Sequence, residues 1–241
     1  NDYGVKPDVD TFNAAIRSCG GGELGKWEKA LELFNSMNEY GVKPDVGTFN
    51  AAISACGKGG QLEKALDLFN SMKDCGVQPN VVTFSAAIGA SGKVGQWEKA
   101  LELFNSMKDR GVEPFVSTFN AVIIACGNGG QWEKALELLN SMPGRGVKPN
   151  INNYNAVISA CEKGGQCEKT LELFNSMLDR GVKLNVNSYN AAIRACEKGG
   201  QWEKALELFI SMNDYGLKPG VETFNAAISA CGKGGQWEKA L

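Results

Sequence analysis

The feature that most constrains this chain is self-repetition. A segment that begins Val46-Gly47-Thr48-Phe49-Asn50 returns from Val81, Val116, Ile151, Val186 and Val221, each start 35 residues after the last. An earlier copy starts at Val9 and reaches the next after 37 residues, because Gly20-Gly21-Gly22-Glu23-Leu24-Gly25 holds two extra. Periods of this size belong to arrays of small units. No single unit can bury its own apolar face, so a core forms only when neighbours stack. The register gives the tail of a preceding repeat at 1–8 and full repeats at 9–45, 46–80, 81–115, 116–150, 151–185 and 186–220. A partial repeat follows at 221–241.

Each unit reads as two helices. Thr48 and its equivalents Thr11, Thr83, Thr118, Asn153, Ser188 and Thr223 all suit a helix N-cap, where a side-chain oxygen satisfies an orphan backbone N–H. The first helix is expected to run to about Lys58, where Gly59-Gly60 ends it. The second starts near Gln61 and reaches about Asp74, with Leu62, Ala65, Leu66, Leu68, Phe69 and Met72 recurring at helical spacing along one buried face. Gly76 ends it and Pro79 bars its continuation. The expected fold is all-α, a solenoid of tandem helix-turn-helix units.

Composition then removes whole classes of chemistry. The chain has no histidine, which excludes Ser/His and Cys/His nucleophile pairs, histidine general bases and histidine-ligated metals. Its 25 basic and 27 acidic residues give a net charge of −2, against the basic excess usual where phosphate attraction dominates binding. The longest apolar runs are a few residues, so no membrane insertion is expected. Six of the eight cysteines (Cys19, Cys56, Cys126, Cys161, Cys196 and Cys231) fill one place per repeat, and Ser91 fills it in the third. A slot that accepts serine is a small packing site, and neighbouring copies about 10 Å apart are too distant for a disulfide. Without a Cys-x-x-Cys pair no metal is expected, and such cysteine usage suits a reducing compartment. Most carboxylates sit in the repeated Glu-Lys-Ala-Leu-Glu pattern of exposed helix faces. The Gly-Gly pairs lack the following Lys-Ser or Lys-Thr of a phosphate loop. These readings leave no catalytic residue, no cofactor, no metal and no small-molecule substrate: the chain is not read as an enzyme. It lacks a starting Met and stops at Leu241 inside a helix, so it is read as a segment of a longer protein.

The unit T-F-N-A-A-I-x-A-C-x-K-G-G, followed by W-E-K-A-L-E-L-F-N-S-M-x-x-x-G-V-x-P-N, resembles the pentatricopeptide repeat along essentially the whole chain. The resemblance implies a right-handed superhelix whose first helices line the concave side. It further implies single-stranded RNA as partner, one base per repeat, in a mitochondrion or chloroplast on the matrix or stroma side. Base recognition in the family is attributed to the fifth residue of a repeat with the last residue of the same repeat. The pairs are Asn13 with Asp45, Asn50 with Asn80, Ser85 with Phe115, Asn120 with Asn150, Asn155 with Asn185 and Asn190 with Gly220, while Asn225 has no partner in the chain. Asn/Asp resembles a uracil reader and Asn/Asn a cytosine reader; Ser/Phe matches no established combination, and Asn/Gly suggests a loose pyrimidine preference. The implied target is 5′-U-C-N-C-C-Y-Y-3′. Lys58, Lys93, Lys163, Lys198 and Lys233, which end first helices, are the implied contacts to the RNA backbone. A cation at the negative end of a helix dipole, worth about 0.5 kcal/mol, accounts for them equally.

One position departs from the family. The second residue, usually Val or Ile and used to sandwich a base, is Asp10, Gly47, Val82, Ser117, Asn152, Asn187 and Glu222 here. Loss of an apolar wall is worth on the order of 1 kcal/mol per base. Trp27, Trp97, Trp132, Trp202 and Trp237 open second helices and read as packing rather than stacking platforms. An alternative therefore stands beside RNA: an architectural subunit that docks protein subunits of an organellar complex, such as a ribosome or a membrane-bound energy-converting assembly, with Phe115 as a candidate anchor.

Overall fold

The computed structural model describes residues 6–21, 26–236 and 238. Trp237, most of the tail before Val9 and part of the glycine-rich insertion lie outside the described residues. The chain divides into two compact units, Asn1–Gly129 and Gly130–Leu241. The first holds α1 (Val9–Cys19), α2 (Trp27–Ser36), α3 (Val46–Lys58), α4 (Leu62–Asp74), α5 (Val81–Lys93), α6 (Trp97–Asp109) and α7 (Val116–Asn128). The second holds α8 (Trp132–Ser141), α9 (Ile151–Lys163), α10 (Cys167–Asp179), α11 (Val186–Lys198), α12 (Trp202–Asp214) and α13 (Val221–Lys233). Short 3₁₀ turns, Met37–Tyr40 and Pro143–Arg145, follow α2 and α8. Pro143 explains the second, since proline has no N–H to extend the α-helical ladder. Among the described residues every regular element is helical.

Within each unit the odd-numbered helices stack directly on one another, and each enclosed even-numbered helix packs between its own predecessor and the next odd helix. Small residues permit the close stacking. A Cβ on Gly57 would come within 2.8 Å of Ala90 Cβ, and one on Gly92 within 2.7 Å of Ala125 Cβ. Between the layers, aromatic rings meet edge to face: Phe34 with Phe49, Phe69 with Phe84, Phe104 with Phe119, Phe174 with Tyr189 and Phe209 with Phe224, at centroid distances of 4.9–5.1 Å. Each such pair adds about 0.5–1.5 kcal/mol beyond its burial. The turns rest on glycine: Gly60 and Gly76, at φ +72° and +70°, hold the left-handed conformation that closes α3 and α4.

The helix starts differ from expectation by three residues. Thr48 is not the N-cap; Asp45 is. The Asp45 carboxylate accepts the Thr48 N–H at 2.8 Å, and Thr48 Oγ1 accepts the Asp45 N–H at 3.1 Å, a reciprocal capping box. Asn80, Asn150 and Asn185 cap α5, α9 and α11 in the same way. Phe115 and Gly220 have no side-chain acceptor, so only the half in which the Thr118 or Thr223 hydroxyl accepts their N–H is present. The sequence could not separate the two sites, because in most repeats both are filled by residues that favour caps.

Candidate nucleic-acid interface

In three repeats the last residue lies beside the fifth. Asn13 Nδ2 donates to Asp45 Oδ1 at 3.2 Å, Asn50 Nδ2 to Asn80 Oδ1 at 3.4 Å and Asn155 Nδ2 to Asn185 Oδ1 at 3.4 Å. Three residues into the next helix, a hydroxyl donates to the fifth residue at Asn50, Asn155 and Asn190. Thr83 Oγ1 donates to Asn50 Oδ1 at 2.6 Å, Ser188 Oγ to Asn155 Oδ1 at 2.7 Å and Thr223 Oγ1 to Asn190 Oδ1 at 2.6 Å. The structure thus brings together three of the sequence-derived pairs by direct hydrogen bonds. In the third repeat, Ser85 Oγ and Thr118 Oγ1 lie 2.9 Å apart, and Phe115 projects with 60% of its surface exposed. Asn190 faces Gly220, which offers no side chain, and Asn225 is exposed on α13. Asn120 lies in the first unit and Asn150 in the second, so their pairing follows from the register alone.

Capping decides which atoms of the last residue are left over. Asn80 Oδ1 is occupied by the N–H groups of Val82 and Thr83 and by Asn50 Nδ2. Its Nδ2 donates to no partner among the described residues. At Asp45 the same engagement of Oδ1 leaves Oδ2, a bare acceptor. Partial burial raises the affinity of Asp45 for a proton, but hydrogen bonds from Thr48, Asn13 and Gly47 outweigh it and hold the carboxyl below its usual range. The carboxylate also draws the Thr48 hydroxyl to itself, at 2.9 Å, which leaves Asn13 Oδ1 buried with no partner.

The lysines bridge repeats rather than capping their own helices. Lys58 Nζ donates to the Gly20 carbonyl at 2.7 Å, and Lys93 Nζ to the carbonyl of Lys58. Asn128, in the same register, reaches Gly92 O at 3.3 Å. Each satisfies a carbonyl left over at the end of a neighbouring helix. Lys198 and Lys233 instead meet carboxylates, Glu162 Oε1 at 2.8 Å and Glu197 Oε1 at 3.0 Å. Lys163 ends α9 in the same register. Partner carbonyls and carboxylates a whole repeat away were invisible to spacing arguments.

The aromatic and thiol positions pack as expected. Trp27, Trp97, Trp132 and Trp202 lie against Gly59, Gly129, Gly164 and Gly234 of the following repeats, where an added Cβ would fall 2.2–2.8 Å from the indole Cδ1. The eight cysteines are free thiols, and burial pushes Cys56 and Cys161 up to about 11. Among the described residues no group of three or more His, Cys, Asp or Glu side chains could hold a metal ion, and no helix is long and apolar enough to cross a membrane.

Stacked helical hairpins whose fifth and last residues converge place the chain among tandem-repeat α-solenoids. Models of the PPR repeat family match residues 7–58, 44–93, 79–128 and 114–152, that of the PPR repeat matches 153–182, and that of the pentatricopeptide repeat domain matches 172–234. The chain belongs to the pentatricopeptide repeat family. Among solved structures it resembles the pentatricopeptide repeat protein PPR10 from maize at 26% identity and a TM-score of 0.58, over 98% of this chain and 38% of that one. PPR10 in complex with an 18-nt psaJ RNA element gives 21% identity and a TM-score of 0.68, over 99% and 40%. The PPR domain of Arabidopsis thaliana protein-only RNase P 1 in complex with tRNA gives 17% and 0.64, over 78% and 95%. The chain spans about two fifths of the length of maize PPR10. A comparison with curated proteins finds no match.

Proposed function

We propose that this chain is a non-catalytic module that binds single-stranded RNA in a mitochondrion or chloroplast and reads a pyrimidine-rich site, one base per repeat. The observation that carries the reading is the atom left unused at Asp45 and Asn80. Asn80 keeps an N–H pair free, a donor that suits the N3 acceptor of cytosine; Asp45 keeps a carboxylate oxygen free, an acceptor that suits the N3–H of uracil. Asn50 and Asn155 are fixed by one donated and one accepted hydrogen bond, so each retains an N–H and a lone pair for a base edge. Maize PPR10 and the Arabidopsis RNase P domain were solved with RNA, which supports the ligand class. The family and the free thiols support an organelle with a reducing interior.

One observation favours a second reading, a scaffold that docks protein subunits: Phe115 stands 60% exposed while most second residues are polar. Fluorescence anisotropy of labelled 5′-UCNCCYY-3′ against a purine-rich oligonucleotide of equal length separates the two. The RNA reading expects submicromolar binding with at least about tenfold preference for the pyrimidine strand. Equal, weak binding of both strands would overturn it and favour the scaffold.

A further inference from the structure

First helices end in two ways that bear on charge. In α3 and α5 the lysine follows a glycine, Gly57-Lys58 and Gly92-Lys93; in α9 and α11 it follows a glutamate, Glu162-Lys163 and Glu197-Lys198. Glutamate at this place creates an anion between stacked helices. Glu162, with 8% of its side chain exposed, receives Lys198 Nζ at 2.8 Å and Arg194 at 3.4 Å. Glu197, 17% exposed, receives Ser229 Oγ at 2.6 Å and Lys233 Nζ at 3.0 Å. Partial burial raises the proton affinity of Glu197, but the bonds from Ser229 and Lys233 and the nearby lysine charges outweigh it, so the carboxyl is held below its usual range. Arg194 also lies 3.8 Å from Glu222.

In the first unit, Lys58 and Lys93 donate to backbone carbonyls, and neither has a carboxylate within salt-bridge distance among the described residues. Between α3 and α5 they flank a groove of about 260 Å³ lined also by Ser54, Gly57, Ser85 and Gly89. A Cβ on Gly89 would meet nothing within 4 Å, so the floor is open. The groove therefore has uncompensated positive charge, hydroxyl donors and room, whereas Lys198 and Lys233 of the second unit have their charge answered by Glu162 and Glu197.

We propose that Glu162 and Glu197 act as built-in counter-anions, so that RNA phosphates are engaged through the Lys58–Lys93 groove and not through Lys198 and Lys233. The inference rests on the RNA reading above and adds where the backbone is held. A phosphate contact from a lysine already paired with a carboxylate releases little counterion, so it adds little to salt dependence.

The test is the slope of log affinity against log salt for labelled 5′-UCUCCUU-3′, read by anisotropy. Each phosphate contact to a single strand contributes a slope of about 0.7. Lys58→Gln with Lys93→Gln should flatten the slope by about 1.4, while Lys198→Gln with Lys233→Gln should leave it unchanged. Glu162→Gln with Glu197→Gln, which keeps side-chain volume and one acceptor oxygen but removes the charge, should steepen the slope by about 1.4 and tighten binding at low salt. Should the Lys198 and Lys233 double variant fail to fold by circular dichroism, the glutamine arm decides alone. Equal flattening by the two lysine pairs, or an unchanged slope in the glutamine variant, would overturn the proposal. With the wild type still pyrimidine-selective, that result leaves the RNA reading standing; a wild type that binds no RNA overturns both.

Discussion

Asn80 serves two masters through one side chain: its oxygen caps α5 and its nitrogen is left for a ligand. Aspartate at the equivalent place caps α3 equally well, so capping does not distinguish the two residues, whereas the spare atom does. Asn80→Asp should therefore leave stability within about 0.5 kcal/mol and move the second base preference from cytosine to uracil by about tenfold. Paired binding and urea-denaturation measurements check it; loss of stability without a change in base preference would show that Asn80 is only a cap. The pairing of fifth and last residues was implied by the family resemblance, and the structure shows it as hydrogen bonds at Asn13, Asn50 and Asn155. The third member, Thr83, Ser188 or Thr223, suits an N-cap by residue type, yet its hydroxyl joins the fifth residue of the preceding repeat. Its dual contact depends on which atom of the preceding Asp or Asn faces the helix end, and residue type does not fix that.

At the level of elements, the start of each even helix is matched to the turn of the following repeat. Trp27, Trp97, Trp132 and Trp202 each lie on a glycine with no room for a methyl group, and Cys167 lies on Gly199. The second repeat breaks the rule on both sides at once: Leu62 stands where tryptophan would, and Val94 stands where the facing glycine would in the third. A smaller wedge has left space that valine can use. Leu62→Trp alone should cost about 1–3 kcal/mol through overpacking, and Val94→Gly in the same chain should recover most of it. Urea denaturation of the four proteins of this cycle gives the coupling; strictly additive effects would show that the two positions do not meet. The helices, their glycine stops and the buried role of tryptophan were legible from one repeat, because a period of 35 states the same pattern several times. What tryptophan packs against was not, since that contact joins one repeat to the next and depends on the stacking distance.

For the molecule as a whole, each unit is held together only by neighbours, so its parts should open separately rather than all at once. The chain has its own reporters of this, because one equivalent cysteine sits near the end of most odd helices. Cys56, Cys126, Cys161, Cys196 and Cys231 are buried, while Cys75 is exposed on the loop after α4. Desolvation pushes the thiols of Cys56 and Cys161 up to about 11, and burial with the nearby Cys167 thiol takes Cys196 to about 12. At pH 8 these groups are protonated and shielded, so a thiol reagent can reach them only after local opening. Native protein should therefore label at Cys75 first, with the others following at rates set by opening. α13 leaves Val221, Phe224 and Ile228 exposed, so it has less burial to lose than α9, and Cys231 should react well before Cys161. Site-resolved mass spectrometry across a urea series reads the order directly. A single common rate for all the buried thiols would mean that the chain opens as one cooperative body, and nearest-neighbour stacking would no longer describe its stability.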